Sequence, residues 1–289
     1  MFAKQPGIEA ELGAHLATML GVMGDRGPDS AGFAVYGAGQ PGQVKLTLRC
    51  PTGFDVEALA ARVAPGAGLA RRATHAVLSV PAEQAEAVAA AIAATAPEVV
   101  LVGAGRRMEL YKEVGLPADV AREFDLSGMS GSHGIGHTRM ATESAVTTDG
   151  AHPYSTGPDQ CLVHNGSLSN HNAVRRELAR AGLRCRTEND TEVAALYLTG
   201  RLRAGLALEA ALRGALTDLD GFYTFVVGTE TGFAVLRDPI ACKPAVMAET
   251  EAWVAFGSEY RALVDLPGID QARVWEPEPG IVYAWERPQ

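Results

Sequence analysis

Two polar motifs near the middle of the chain carry groups that could bind an anion and a carbonyl oxygen. Arg139 ends the strand-like run Gly136-His137-Thr138-Arg139, where a guanidinium could hold a carboxylate through two parallel N–H···O bonds. Asn165-Gly166 follow a short apolar run that ends at His164, and their side-chain amide and backbone N–H could stabilise an oxyanion. A structural arginine and a plain Asn-Gly turn are the respective alternatives.

Two further motifs supply an acidic group and a rigid bend. In Glu188-Asn189-Asp190-Thr191-Glu192, the Asp190 carboxylate could hold a substrate ammonium group, or it could only cap the helix that begins there. The glycine and proline of Arg26-Gly27-Pro28-Asp29-Ser30-Ala31-Gly32 dictate a tight bend. We interpret that segment either as a structural loop or as one wall of a substrate pocket.

Histidines are concentrated in the same part of the chain, since five of the seven lie between His133 and His171. His133 and His137 are four residues apart in a strand-like segment, which separates them by about 13 Å. No cysteine or acidic residue completes a tetrahedral set of ligands around them. The pattern therefore favours core or hydrogen-bonded imidazoles and no metal site.

The four motifs RGPDSAG, GHTRMAT, HNG and ENDTE, in this order, resemble those of the class II glutamine amidotransferase domain, a member of the N-terminal-nucleophile (Ntn) hydrolases. Later strings, DGFYTF, RDP with KP, and FGSE, resemble the same family. The resemblance covers residues 1–45 and 127–289. Within the family, the strings GSHGIGHTRMATESAVTT, RDPIACKPAVMAE and VWEPEP, together with an inserted module, resemble the glutaminase-like subunit of glutamate synthase and N-methylglutamate synthase systems.

The resemblance implies a role for each motif in binding and hydrolysing glutamine. Arg139 is expected to hold the α-carboxylate and Asp190 the α-ammonium group. Asn165 and Gly166 are expected to form the oxyanion hole. The resemblance adds three further substrate-binding residues, Thr142, Arg26 and His164. In the family, a cysteine at the mature N-terminus attacks the side-chain amide, and its own α-amine serves as the general base.

The beginning of the sequence departs from the family pattern. Family members open with Met-Cys-Gly-Ile, whereas this chain begins Met1-Phe2-Ala3-Lys4, which resembles the end of the family's first strand. The nucleophile is therefore expected several residues before Met1. A start placed too far downstream is the favoured explanation, because the other binding motifs are intact. A true loss of the cysteine, leaving a catalytically inactive glutamine-binding or scaffold subunit, stays open.

None of the chain's own cysteines is a convincing replacement for that nucleophile. Cys161 lies in a buried-looking strand, where a thiol behaves as a small apolar side chain. Cys50 lies at the start of the insert, Cys185 in a loop after a helix and Cys242 in a turn. All four are expected to be free thiols.

The elements around these motifs predict an α+β fold. An amphipathic helix is expected over residues 7–23, helices follow the polar motifs, and a meander of strands ends the chain. We predict a four-layer αββα sandwich of two antiparallel sheets, of the Ntn-hydrolase type, with helices outside. Residues 1–45 and 127–289 would form the amidotransferase domain. Residues 46–126 would form a small inserted α/β module without clustered polar chemistry.

Composition excludes several other classes of protein. The net charge is −9, from 25 Lys and Arg against 34 Asp and Glu, without a basic run, so nucleic acid is not an expected partner. No stretch of about 18 apolar residues predicts a membrane span. The first residues carry no apolar signal core, which predicts a cytoplasmic protein.

The expected partners are glutamine and the synthase subunits of a larger complex. No cofactor is expected in this chain, because no cysteine spacing fits an iron–sulfur cluster. The resemblance places FMN and the Fe–S cluster in a partner subunit. An Ntn hydrolase acting on another amide is a third hypothesis, but it would not need both Arg139 and Asp190 to clamp an amino acid.

Overall fold

The computed structural model describes residues 1–141 and 145–287, which form sixteen strands and seven α-helices. The strands are β1 Phe2–Ala3, β2 Ser30–Tyr36, β3 Gln43–Arg49, β4 Gly68–Arg72, β5 His75–Pro81, β6 Val100–Gly105, β7 Met108–Val114, β8 His133–Arg139, β9 Tyr154–Gly157, β10 Gln160–Leu168, β11 Gly221–Gly228, β12 Gly232–Arg237, β13 Val246–Glu249, β14 Trp253–Gly257, β15 Arg273–Trp275 and β16 Val282–Glu286. The helices are α1 Pro6–Val22, α2 Val56–Val63, α3 Ala85–Thr95, α4 Pro117–Glu123, α5 His171–Arg180, α6 Asp190–Arg203 and α7 Leu208–Asp218.

Two antiparallel sheets stack face to face and make the body of the molecule. One has seven strands in the order β15-β13-β14-β1-β8-β2-β7, and the other has five in the order β16-β12-β11-β10-β9. Apolar side chains from both sheets fill the space between them, among them Tyr36, Ile135, Val163, Val226 and Phe233. Helices α1 and α4 cover the outer face of the larger sheet, and α5, α6 and α7 cover that of the smaller sheet. The predicted αββα sandwich is confirmed.

Helix α1 forms where the spacing of apolar residues predicted it. Pro6 occupies its first turn, where the missing N–H costs no hydrogen bond. Leu12, Leu16 and Leu20 recur every fourth residue and are buried against the seven-stranded sheet. Each such burial contributes about 2 kcal/mol. At 17 residues α1 is the longest described helix, and no helix in the described ranges is long and apolar enough to cross a membrane.

The inserted module is a separate four-stranded sheet in the order β4-β5-β3-β6, packed against α2 and α3. Its strands span residues 43–105, whereas the sequence placed the insert at 46–126. The difference arises at β7, which pairs along its whole length with β2 at the edge of the seven-stranded sheet. Helix α4 packs on that sheet too. The alternation of apolar and polar residues in β7 does not indicate which of the two sheets the strand joins.

Candidate active site

A cavity of about 800 Å³ opens at the ends of β8 and β10 and collects most of the predicted site residues. Six of them line it, namely Arg26, Arg139, His164, Asn165, Gly166 and Asp190. Thr142, the seventh, lies outside the described residues. Motifs that are up to 164 residues apart in sequence (Arg26 to Asp190) thus contribute to one concave surface.

The bend that includes Gly27 and Asp29 braces Arg139 at the end of β8. The Asp29 backbone N–H donates to the Arg139 carbonyl at 3.1 Å, and its carboxylate accepts the Ala141 N–H at 2.8 Å. Gly27 packs directly on the same backbone, because a Cβ there would lie 2.4 Å from the Arg139 nitrogen. The segment is therefore a structural brace that also contributes Arg26 to the cavity wall.

Asn165 and Gly166 lie within a strand, since β10 continues to Leu168 and pairs Asn165 with Thr224 of β11. The Asn-Gly turn alternative is therefore wrong. Side chains alternate along a strand, so Asn165 shares its face with Val163, which is buried between the sheets. Gly166 has φ +146°, and a Cβ there would lie 1.9 Å from a backbone oxygen of β11, so only glycine fits.

Asp190 does not cap α6, because Asn189 does so by accepting the Thr191 N–H at 2.9 Å. The Asp190 carboxylate instead accepts the Leu168 N–H at 2.9 Å and lies 3.6 Å from Nδ1 of His164. Burial raises the pKa of Asp190, but the contact with His164 and the Leu168 N–H outweigh it, so its pKa lies below the ordinary range. The group is ionised at neutral pH and suits a cation.

Three imidazoles lie close to this carboxylate, of which His152 and His164 are buried and His137 is partly buried. The Thr191 hydroxyl lies 3.1 Å from His164 Nδ1 and 3.1 Å from His152 Nε2, while His137 Nε2 donates to the His164 carbonyl at 3.1 Å. Burial lowers the pKa of His137 to about 4 and that of His152 well below its usual value. In the described part of the chain, no three His, Cys, Asp or Glu residues are arranged to hold a metal ion.

Arg26 reaches the cavity but already has an acidic partner, because its Nε lies 3.0 Å from a Glu259 carboxylate oxygen. Two other residues that line the cavity, Thr224 and Lys243, have no role predicted from the sequence. The register of β11 against β10 reveals Thr224, which directly opposes Asn165. Lys243 stood only within a string that resembles the family.

Met1 also lines the cavity, at the start of β1 between β8 and β14. Among the residues described, none of the four cysteines lines the cavity. Cys161 is buried, Tyr36 donates to its sulfur, and burial raises its pKa to about 11, as expected of an inert core thiol.

Comparison with known proteins agrees with these motifs. A glutamine amidotransferase domain family matches residues 137–265. Over 290 aligned residues the chain is 59% identical to the glutamine amidotransferase-like protein GlxB of Rhizobium meliloti (strain 1021), covering 99% of this chain and 96% of that protein. The chain belongs to the glutamine amidotransferase family. A second relative, described as a glutamine amidotransferase of Methanothermobacter thermautotrophicus, is 32% identical over 95% of this chain and 94% of its own length.

Comparison with solved structures supports the predicted fold. The glutamine phosphoribosylpyrophosphate amidotransferase of B. subtilis superposes with a TM-score of 0.62 at 20% identity, over 96% of this chain. The chain spans 45% of that larger protein, so this likeness concerns the fold alone. Both the resemblance to the family and the Ntn-type fold are confirmed.

Proposed function

We propose that this chain binds L-glutamine and releases ammonia from its side-chain amide, as the glutaminase subunit of a larger synthase. The observation that carries the proposal is the single cavity that brings together Arg139, Asp190, Asn165 and Gly166. A guanidinium, an ionised carboxylate and a pair of hydrogen-bond donors match the three polar parts of glutamine. Membership of the glutamine amidotransferase family supports the same substrate.

Each group would act on a different part of the substrate. Arg139 would hold the α-carboxylate through two charge-assisted hydrogen bonds, and Asp190 would hold the α-ammonium group. The Asn165 side-chain amide and the Gly166 N–H would face the oxygen that becomes negative when the amide carbon is attacked. Thr142 and His164 would be further residues that contribute to glutamine binding. His164 would act through its contact with Asp190.

The nucleophile would be a cysteine that precedes Met1 on an extension of β1 between β8 and β14. Its sulfur would attack the amide carbon, ammonia would leave with a proton returned by the cysteine's α-amine, and water would then release glutamate from the thioester. The position of Met1 beside the cavity supports this placement. The alternative is a catalytically inactive subunit that binds glutamine without hydrolysing it.

The destination of the ammonia is proposed from the sequence resemblance alone. It would pass to a cytoplasmic synthase subunit that carries FMN and an Fe–S cluster and makes glutamate or N-methylglutamate. This chain would contribute neither cofactor.

Calorimetric titration with L-glutamine tests the binding part of the proposal. Arg139→Ala should weaken binding roughly 10- to 100-fold, because hydrogen bonds to charged groups contribute about 1.5–3 kcal/mol. Arg213→Ala is the matched control, since among the described residues Arg213 pairs only with Glu209, on an exposed helix face. Unchanged binding by the Arg139 variant would overturn the assignment of the carboxylate clamp.

Intact-protein mass spectrometry of the subunit from its native source separates the enzyme from the inactive alternative. A mass above that of this chain, with an N-terminal cysteine that can be alkylated and ammonia release that alkylation abolishes, supports a glutaminase. A mass equal to that of this chain, without ammonia release, supports the binding subunit.

A further inference from the structure

His152 is a buried polar side chain at the cavity to which the proposed function gives no role. Its Nε2 lies 3.1 Å from the Thr191 hydroxyl, whereas its Nδ1 has no hydrogen-bond partner among the described residues. The loop that carries it is fixed, because the buried Lys112 ammonium donates to the carbonyls of Asp149 at 3.2 Å and Ala151 at 2.8 Å. Within the described ranges, Thr191 is thus the only hydrogen-bond partner of this imidazole.

The Thr191 hydroxyl joins His152 to the imidazole that contacts Asp190. Thr191 is 1% exposed in the first turn of α6, where its backbone N–H donates to Asn189. Its hydroxyl oxygen lies 3.1 Å from His164 Nδ1, which in turn lies 3.6 Å from an Asp190 carboxylate oxygen. These four side chains, His152, Thr191, His164 and Asp190, form what we call the imidazole relay.

The negative charge at one end of the relay decides which nitrogen of His164 carries a proton. A neutral imidazole has a proton on only one of its two nitrogens. On His164 the Nδ1 position is favoured, because an N–H there faces the Asp190 carboxylate, which would repel a lone pair. The Nε2 of His164 has no hydrogen-bond partner among the described residues, so no acceptor there competes for the proton.

The direction of this first hydrogen bond fixes the direction of the second. A hydroxyl has a single proton, so when the Thr191 oxygen accepts from His164 it donates to His152 Nε2. Burial lowers the pKa of His152 well below its usual value, so this imidazole stays neutral and keeps a lone pair for that bond. Without an acceptor at His152, the Thr191 proton could instead turn to His164 Nδ1 and displace the proton that faces Asp190.

We propose that His152 and Thr191 are positioning residues for the ammonium site of the cavity. Together they keep the His164 proton on Nδ1, where it faces Asp190 and stabilises the ionised carboxylate that receives a ligand's ammonium group. The inference rests on the proposed function for the role of Asp190. The effect of both residues on the ligand passes through His164.

Nuclear magnetic resonance of the ring nitrogens, after isotopic labelling of histidine, tests the direction of the relay, because protonated and bare nitrogens give well-separated signals. At mildly alkaline pH, both His164 and His152 should carry their proton on Nδ1. Thr191→Val should release His152 to the Nε2-protonated form that free histidine prefers, whereas Thr191→Ser should leave both imidazoles unchanged. Asp190→Asn should reverse the relay and move the His152 proton to Nε2, although no hydrogen bond or ion pair joins these two side chains in the described structure.

Calorimetric titration of the full chain with L-glutamine measures the consequence for binding. Thr191→Val should weaken binding about three- to ten-fold, because His164 Nδ1–H loses its nearest acceptor and is no longer held against Asp190. Thr191→Ser should bind within about two-fold of the unmodified chain. Thr199→Val is the matched control and should also leave binding unchanged, since Thr199 is a buried threonine of the same helix that donates to Gln160 outside the cavity lining.

The two measurements separate this inference from the function on which it rests. A His152 proton on Nε2 in the unmodified chain would overturn the relay, and this result requires no variant to fold. Equal affinities of Thr191→Val and the unmodified chain for glutamine would overturn the positioning role. If the tautomers respond as expected but the unmodified chain binds no glutamine, the direction of the relay stands and the proposed function is overturned.

Discussion

The Asp190 carboxylate is available for its proposed role because the preceding residue, Asn189, caps α6. Asn189 satisfies the helix terminus, which leaves the Asp190 carboxylate to Leu168, His164 and the cavity. His164 holds the pKa of Asp190 down against the effect of burial. Two residues that are 26 positions apart therefore set the charge available to a ligand's ammonium group.

This coupling predicts how binding depends on pH. Glutamine binding should persist as the pH falls until Asp190 becomes protonated, below the ordinary pKa of an aspartate. His164→Phe removes the favourable contact, so the pKa of Asp190 should rise and binding should be lost at a higher pH. Calorimetric affinities measured from neutral to acidic pH check the shift, with Asp190→Asn as the variant that should bind poorly throughout. Identical pH midpoints with and without His164 would contradict the coupling.

Asn165 gives a second residue-scale prediction, for a form of the protein that carries the N-terminal cysteine. Asn165→Ala should lower kcat for ammonia release roughly 10²–10³-fold, because one donor to the developing oxyanion is lost. KM should change little, since the oxygen carries no full charge before attack. A defect confined to KM would instead make Asn165 a ground-state binding residue.

Among the elements, the connection between the module and the sandwich depends on one buried carboxylate. Asp159, which is 4% exposed, accepts the backbone N–H groups of Arg106, Arg107 and Met108 at 2.7, 2.9 and 2.9 Å. These three amides connect β6 of the module to β7 of the large sheet. Asp159 precedes β10, so one side chain ties the module to both sheets of the sandwich.

Loss of this carboxylate should destabilise the protein well beyond an ordinary helix cap. Asp159→Ala should lower the free energy of unfolding by about 3 kcal/mol or more, because it leaves buried N–H groups without acceptors. Asp55→Ala is a suitable comparison, since Asp55 caps α2 by accepting the Ala58 N–H and such a cap contributes about 1 kcal/mol. Urea unfolding of the two variants measures the difference. If both variants lost the same free energy of unfolding, water would have replaced the missing Asp159 carboxylate.

The elements also show what the sequence could and could not predict. The sequence was sufficient to predict α1 and the order of the polar motifs, because the spacing of apolar residues and the residue types of a motif are properties of short segments. Pairings between distant residues were not visible. Nothing near β7 indicates that it pairs with β2, nothing near Arg26 indicates Glu259, and Thr224 becomes part of the site only through its register with Asn165.

Across the whole molecule, buried neutral histidines connect stability to pH. Burial lowers the pKa of His75 and His133 to about 3 and that of His137 to about 4, and it holds that of His152 well below its usual value. They belong to the module, the large sheet and the loop before β9. At mildly acidic pH each of these imidazoles remains neutral in the folded chain, whereas it would be protonated in the unfolded chain.

The sign of the pH effect follows from that difference. The unfolded chain binds more protons than the folded chain once the pH falls below about 6.5, so the free energy of unfolding should decrease from there towards pH 4, by about 1.4 kcal/mol per pH unit for each histidine. Urea unfolding across this range measures the slope. His137→Gln should flatten it by about one proton, because that variant has one fewer group to protonate on unfolding. A free energy of unfolding that stays constant from neutral pH to about pH 5 would mean that these imidazoles take up protons in the folded state.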